Sequence, residues 1–250
     1  MNIFYREHGE GTPVVLIHGF CETSEIWEGF ENILSSYGRI ISIDLPGFGK
    51  SPLPAGPISI DMIAEIVLKW LKDKQIIAPV VIGHSLGGYI TLAMAAIDPT
   101  YFDKLVLFHS SVYADSDEKK ATRDKVIDFV TKNGVDPFIQ TFVPTLFYNK
   151  SHPAIEKVRH IGVMTRVKTL IEYTKAMRNR PSREEFLRQY IRPTLFIAGV
   201  HDEIIPLEIS RKMSSIGSKS TFFVLPESGH MGMIESRLIA AEAIGRFLKD

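Results

Sequence analysis

Residues 78–97 read A-P-V-V-I-G-H-S-L-G-G-Y-I-T-L-A-M-A-A-I. The stretch opens as a short apolar run, turns sharply through G-H-S-L-G (Gly83 to Gly87), and leaves as a helical pattern that stops before Asp98-Pro99. A strand, a tight turn and a helix around G-x-S-x-G are the setting in which a serine becomes a nucleophile. The turn forces Ser85 onto strained backbone and lifts its side chain clear of the sheet edge. Gly83 and Gly87 lack the side chains that would hold strand and helix apart. The helix N-terminus behind the serine presents backbone N–H groups to any negative charge that develops there.

Outward from this stretch, the chain alternates between two periodicities. Asn2 to Arg6 reads as a short edge strand. Pro13 to Ile17 (P-V-V-L-I) is apolar at nearly every position, as in a parallel strand covered on both faces. Thr23 and Ser24 are candidate caps for a helix carrying Trp27, Phe30, Ile33 and Leu34. Arg39 to Ile43 is a further strand, followed by the loop D-L-P-G-F-G-K-S. A helix beginning near Ser59 or Asp61 runs to Lys74, and Leu105 to Phe108 is another buried strand. This order predicts an α/β fold with a mostly parallel, doubly wound sheet.

After His109 the pattern changes. From about Val112 to Tyr190 the sequence offers helices and no β-branched run, which predicts a helical insertion over residues 112–190. Its segments are Asp117–Lys132, Val135–Tyr148, Ala154–Arg166, Lys168–Met177 and Arg183–Tyr190. Strand pattern returns at Pro193–Ala198 and Ser220–Leu225, separated by a helix over Leu207–Ile216. A helix over Ile234–Leu248 closes the chain. The sheet unit is therefore expected from residues 1–111 and 191–250.

Composition excludes several classes. Of the 250 residues 45% are hydrophobic and 23% charged, ordinary for a globular chain. Twenty-nine basic residues balance 29 acidic ones, so net charge draws the protein to neither nucleic acid nor an anionic membrane. One cysteine, Cys21, allows no internal disulfide and suits a reducing compartment; it is read as a small buried hydrophobe. No secretory signal pattern and no apolar run long enough to span a bilayer is visible, so the cytoplasm is the expected location. No Cys/His cluster has zinc spacing, and D-L-P-G-F-G-K-S lacks the spacing of a nucleotide phosphate loop. The basic run Arg178–Arg183 is read as a solvated turn.

On G-H-S-L-G in its strand–helix setting, the sequence resembles the α/β-hydrolase superfamily, in its serine branch with a helical cap. The resemblance covers nearly the whole chain outside residues 112–190, the position where that superfamily carries its lid. It implies a Ser, then Asp or Glu, then His order along the chain. Here that order is met by Ser85 as nucleophile, Asp202 as the orienting acid and His230 as the base. Asp202 and His230 each lie in a loop after a strand, and a parallel sheet delivers both loops to the edge that bears Ser85. The resemblance also implies an oxyanion hole formed by the N–H of Leu86 and, from His18-Gly19-Phe20, the N–H of Phe20. It implies no cofactor, and a small or medium carboxylic ester as substrate.

Rivals for each place are visible. His109, at the end of a strand, is the strongest competing base, and His201 adjoins Asp202. Glu203 is a neighbouring carboxylate, and Asp115 occupies an alternative position for the acid in some relatives. Asp44 is read as structural. Gly229 is expected to let the His230 loop turn sharply. Phe138, Phe142, Phe147, Tyr148 and Tyr173 are candidates either for an apolar substrate tunnel or for the packing of the insert. Carbon–carbon, thioester and lactone hydrolysis use the same triad, and a non-catalytic ligand-binding member of the fold is a further alternative.

Overall fold

The computed structural model describes residues 1–249. Seven strands form one sheet in the order β1-β3-β2-β4-β5-β6-β7. They are β1 (Tyr5–His8), β2 (Pro13–Ile17), β3 (Arg39–Ile43), β4 (Val80–His84), β5 (Leu105–Phe108), β6 (Thr194–Gly199) and β7 (Ser220–Leu225). β1 pairs antiparallel with β3, and every other pairing is parallel. The central strands are apolar throughout because both faces are covered, yet their side chains still alternate. Val14 and Leu16 join one core, and Val15 and Ile17 join the other.

One core is closed by α2 (Ile60–Asp73) and α3 (Leu86–Ile97). α2 buries Ile63, Val67 and Leu71 along one face, and Ser59 caps it by accepting the Met62 amide at 3.1 Å. α3 is buried from Leu86 through Ala95, as its apolar circumference requires. Gly87 shows why: a Cβ there would stand 2.2 Å from the carbonyl oxygen of Ile17 in β2. The opposite core is closed by α1 (Phe30–Leu34) and α11 (Arg237–Lys249).

Between β5 and β6 the described chain is helical only: α4 (Asp117–Asn133), α5 (Val135–Thr145), α6 (Ala154–Val163), α7 (Val167–Arg178) and α8 (Glu184–Gln189). α9 (Leu207–Ser214) joins β6 to β7, and a single turn, α10 (Gly232–Glu235), precedes α11.

Several expectations need correction. The first strand sits at Tyr5–His8, since its partner in register is Ile40–Ile43. The expected first helix is split into a 3₁₀ turn (Ser24–Trp27) and α1, because Gly29 adopts φ +80° between them. The helix expected to reach Tyr148 ends at Thr145, just after Pro144. The closing helix starts at Arg237, after the separate turn at Gly232–Glu235.

Arg178–Arg183 is not simply a solvated turn. Arg180 is buried, donating to Asp115 Oδ1 at 2.7 Å, to the Met177 carbonyl at 2.7 Å and to the Tyr113 carbonyl at 2.9 Å. Its guanidinium lies 4.0 Å from the ring centroid of Tyr89 in α3. Asp115 is itself buried and needs cationic partners; Arg123 is the second. Burial alone would raise the Asp115 pKa, but the two arginines hold it below the usual carboxylate value. Arg183 pairs with Asp61 of α2, so this basic segment ties the helical insert to the sheet unit.

Candidate active site

Ser85 caps α3 directly after β4, at φ +51° and ψ −113°. A non-glycine residue in that region is strained, and its surroundings must fix it there. Its amide donates to the Phe108 carbonyl at 2.9 Å, and its carbonyl accepts from the Ser110 hydroxyl at 2.7 Å. Ser85, Phe20 and His230 line one cavity of about 360 Å³. The Ser85 hydroxyl makes no hydrogen bond to His230 here; the two share the cavity.

Asp202 follows β6 and is buried with all its acceptor positions used. Oδ1 accepts the amides of Ile204 and Ile205, both at 2.9 Å. Oδ2 accepts His230 Nδ1 at 2.8 Å and His109 Nδ1 at 2.9 Å. Burial pushes the Asp202 pKa up, but the facing His230 and the hydrogen bonds from both imidazoles outweigh it and hold the carboxylate well below its usual range. The donors of His109, Asp202 and His230 lie within 4.8 Å of one another, a spacing compatible with a metal ion. Both Nδ1 atoms, however, face the carboxylate as N–H donors, so this set is a buried carboxylate with two imidazole donors.

His109 is thus not a second free base. Its Nδ1–H is spent on Asp202, and its Nε2 accepts the Gly232 amide at 3.3 Å. Burial lowers its pKa to about 4, keeping the ring neutral. His201 is exposed and stacks on Tyr148, with centroids 3.7 Å apart. Glu203 is exposed and pairs with Lys150. Asp115 also lines the cavity, bound by its two arginines.

The His230 loop is held from two sides. The His230 amide donates to the Leu146 carbonyl, at the end of α5, at 2.7 Å. The His230 carbonyl accepts His84 Nε2 at 2.9 Å. Gly229 serves this approach rather than a sharp turn: a Cβ on it would stand 2.6 Å from the Tyr148 amide nitrogen. Its φ is not among the positive ones.

His84 also reaches a carboxylate that no local motif singles out. Its Nδ1 lies 3.1 Å from Glu22 Oε2, which accepts the Gly19 amide at 2.7 Å. With a carbonyl at one ring nitrogen and a carboxylate at the other, His84 donates from both. Burial opposes the charge, but Glu22 raises the His84 pKa, and the Glu22 pKa is lowered in turn. This buried pair braces the loop that leads into Phe20. The amides of Phe20 and Leu86 have no hydrogen-bond partner among the described residues, although Leu86 is fully buried. Unpaired buried amides are rare.

The remaining candidates divide. Phe138 and Phe142 stack at 5.1 Å and line the cavity beside Phe20. Phe147 and Tyr173 are buried packing residues; the Tyr173 hydroxyl donates to the Pro46 carbonyl at 2.7 Å. Asp44 is structural, accepting the amides of Ser24 and Lys50 at 2.8 and 2.9 Å. Cys21 is buried, which pushes its thiol pKa far up.

A strained serine at a strand–helix turn, on a parallel sheet with a helical insert after β5, meets its match in sequence comparison. The family described as alpha/beta hydrolase fold matches residues 12–236. The chain belongs to that family. Among curated relatives, the dihydrolipoyllysine-residue acetyltransferase component of the acetoin cleaving system from Pseudomonas putida is 30% identical over 90% of this chain. The match spans only 60% of that longer protein. A pimeloyl-[acyl-carrier protein] methyl ester esterase from Wigglesworthia glossinidia brevipalpis is 27% identical over 98% of this chain and 97% of its own. Among solved structures, a thermophilic esterase from Thermogutta terrifontis superposes with TM-score 0.93 at 27% identity, covering 99% of this chain and 93% of that one. This α/β-fold hydrolase therefore has esterases among its neighbours. None of its described helices is long and apolar enough to cross a membrane.

Proposed function

We propose that this α/β hydrolase cleaves a small or medium carboxylic ester through an acyl-enzyme intermediate. The observation that carries the reading is the hydrogen bond from His230 Nδ1 to Asp202, on the wall of the cavity that also holds Ser85. With Nδ1 so engaged, Nε2 is the working nitrogen of His230. Ser85 Oγ attacks the ester carbonyl and its proton passes to His230 Nε2. The Phe20 and Leu86 amides receive the tetrahedral oxyanion. Collapse breaks the bond to the alkoxide, which leaves with the proton from His230. Water then gives a proton to His230 and attacks the acyl-enzyme, releasing the acid and Ser85.

In this reading residues 112–190 act as the cap over the cavity, and Phe138 and Phe142 with Phe20 form its apolar wall. The test is steady-state hydrolysis of p-nitrophenyl esters graded from acetyl to long acyl chains, with Ser85→Ala beside the wild type. Turnover that collapses in the variant is expected. Activity that survives in Ser85→Ala overturns the assignment.

A further inference from the structure

Three carboxylates line the cavity around Ser85, and each already has a basic side chain within hydrogen-bond or ion-pair distance. Glu22 faces His84 at 3.1 Å, Asp115 is bound by both Arg123 and Arg180, and Glu203 meets Lys150 at 3.0 Å. Two cations on the same wall remain underused. Lys119 has no ion-pair partner among the described residues. Arg123 donates to Asp115 through Nε, and its two Nη groups hold no hydrogen bond to a described residue. Lys119 and Arg123 stand four apart on α4, on one face of the helix. Asp115 alone is set against Arg123 and Arg180, and Lys119 adds a further positive charge to the same lining. The walls beside it, Val126, Phe138, Phe142 and Leu146, are apolar, and such walls strengthen the field of a nearby charge.

We propose that the ester cleaved here is anionic, carrying a carboxylate or phosphate that sits against Lys119 and Arg123 while Ser85 reaches its carbonyl. The proposal rests on the esterase reading for its chemistry, but its charge selectivity is readable without turnover. The apolar wall takes the carbon chain and the cationic corner takes the charged end. The surplus charge then selects among esters that the apolar wall alone would accept equally.

Paired substrates test it. For an anion on the acyl side, p-nitrophenyl half-esters of straight-chain dicarboxylic acids are compared with their neutral methyl-capped diesters. For an anion on the alcohol side, butyryl p-hydroxybenzoate is compared with butyryl p-hydroxybenzamide, and butyryl p-hydroxyphenyl phosphate supplies the phosphate. The expected result is a preference in kcat/KM for the anionic member of at least one pair, about fivefold or more. The preference shrinks toward unity in Lys119→Gln and at high salt. Lys119 is exposed, so this variant is expected to fold. The same pairs are titrated calorimetrically into Ser85→Ala. Charge-selective binding without turnover by the wild type keeps the anion site at Lys119 and Arg123 and removes the esterase reading. Turnover in which neutral members do as well in every pair, or a preference untouched in Lys119→Gln, overturns this proposal and keeps the esterase reading.

Discussion

The imidazoles of His109 and His230 stand 5.5 Å apart, centroid to centroid, because a single oxygen atom, Oδ2 of Asp202, accepts a hydrogen bond from each. Replacing that carboxylate removes the acceptor that fixes the His230 tautomer. Asp202→Asn is expected to fold and to lose about 10³–10⁴-fold in kcat. Ester hydrolysis by the variant, with near-UV circular dichroism to confirm packing, gives the answer. A loss under tenfold would show that Asp202 does not orient the base.

The neutral His109 ring makes a second expectation, for stability. Its pKa is lowered to about 4 in the folded protein, against about 6.5 in an unfolded chain. Between those values the unfolded state binds more protons, so acidification from 6.5 toward 4 erodes stability, by up to about 3 kcal/mol. His84 acts in another window: its raised pKa gives stability that is complete below about 6.5 and lost as pH rises through the folded value. Asp202, with its depressed pKa, contributes above about 3.9 and loses that contribution only at lower pH. The thermal midpoint of His109→Gln should therefore vary less with pH between 4 and 6.5 than that of wild type. Identical slopes would exclude His109 as the titrating group.

Arg180 holds Asp115, two backbone carbonyls and the face of Tyr89 at once. Arg180→Met keeps much of the volume and removes all the donors, and is expected to cost about 3 kcal/mol in urea unfolding. Arg180→Lys should recover only part, because one ammonium cannot reproduce the guanidinium's spread of contacts. If Met costs less than about 1 kcal/mol, this clamp does not secure the insert.

The stacked pair Phe138–Phe142 predicts a change in acyl-chain preference. Truncating Phe138 to Ala enlarges the apolar wall, so kcat/KM should move toward longer chains, with about tenfold change in the ratio of long to short esters. A chain-length profile superimposable on that of wild type would place these rings outside the substrate's path.

What was legible in the sequence follows from range. β2, β4 and β5 announce themselves because strands covered on both faces must be apolar at consecutive positions. The strained turn at Ser85 is legible because it needs glycines on both sides within a few residues. Asp202 and His230 come together by topology, since consecutive parallel strands deliver their following loops to one edge. Side-chain pairings across the core leave no such trace. Nothing local marks Glu22 as the partner of His84, 62 positions away, or His109 as the second donor to Asp202, 93 positions away. Arg180 lies in a segment whose composition reads as solvated, and only the buried Asp115 opposite it reveals an inward cation.

The 2.7 Å bond from the His230 amide to the Leu146 carbonyl joins the candidate base to the helical segment between β5 and β6. Displacing the end of α5 would take this hydrogen bond from the His230 loop, leaving the His84 contact to the His230 carbonyl and the Gly229 amide on Glu235 to hold it. On the esterase reading, an opening of the cavity at this corner would also loosen the base. On that reading Ser85 would be armed with α5 seated and disarmed as this corner rises.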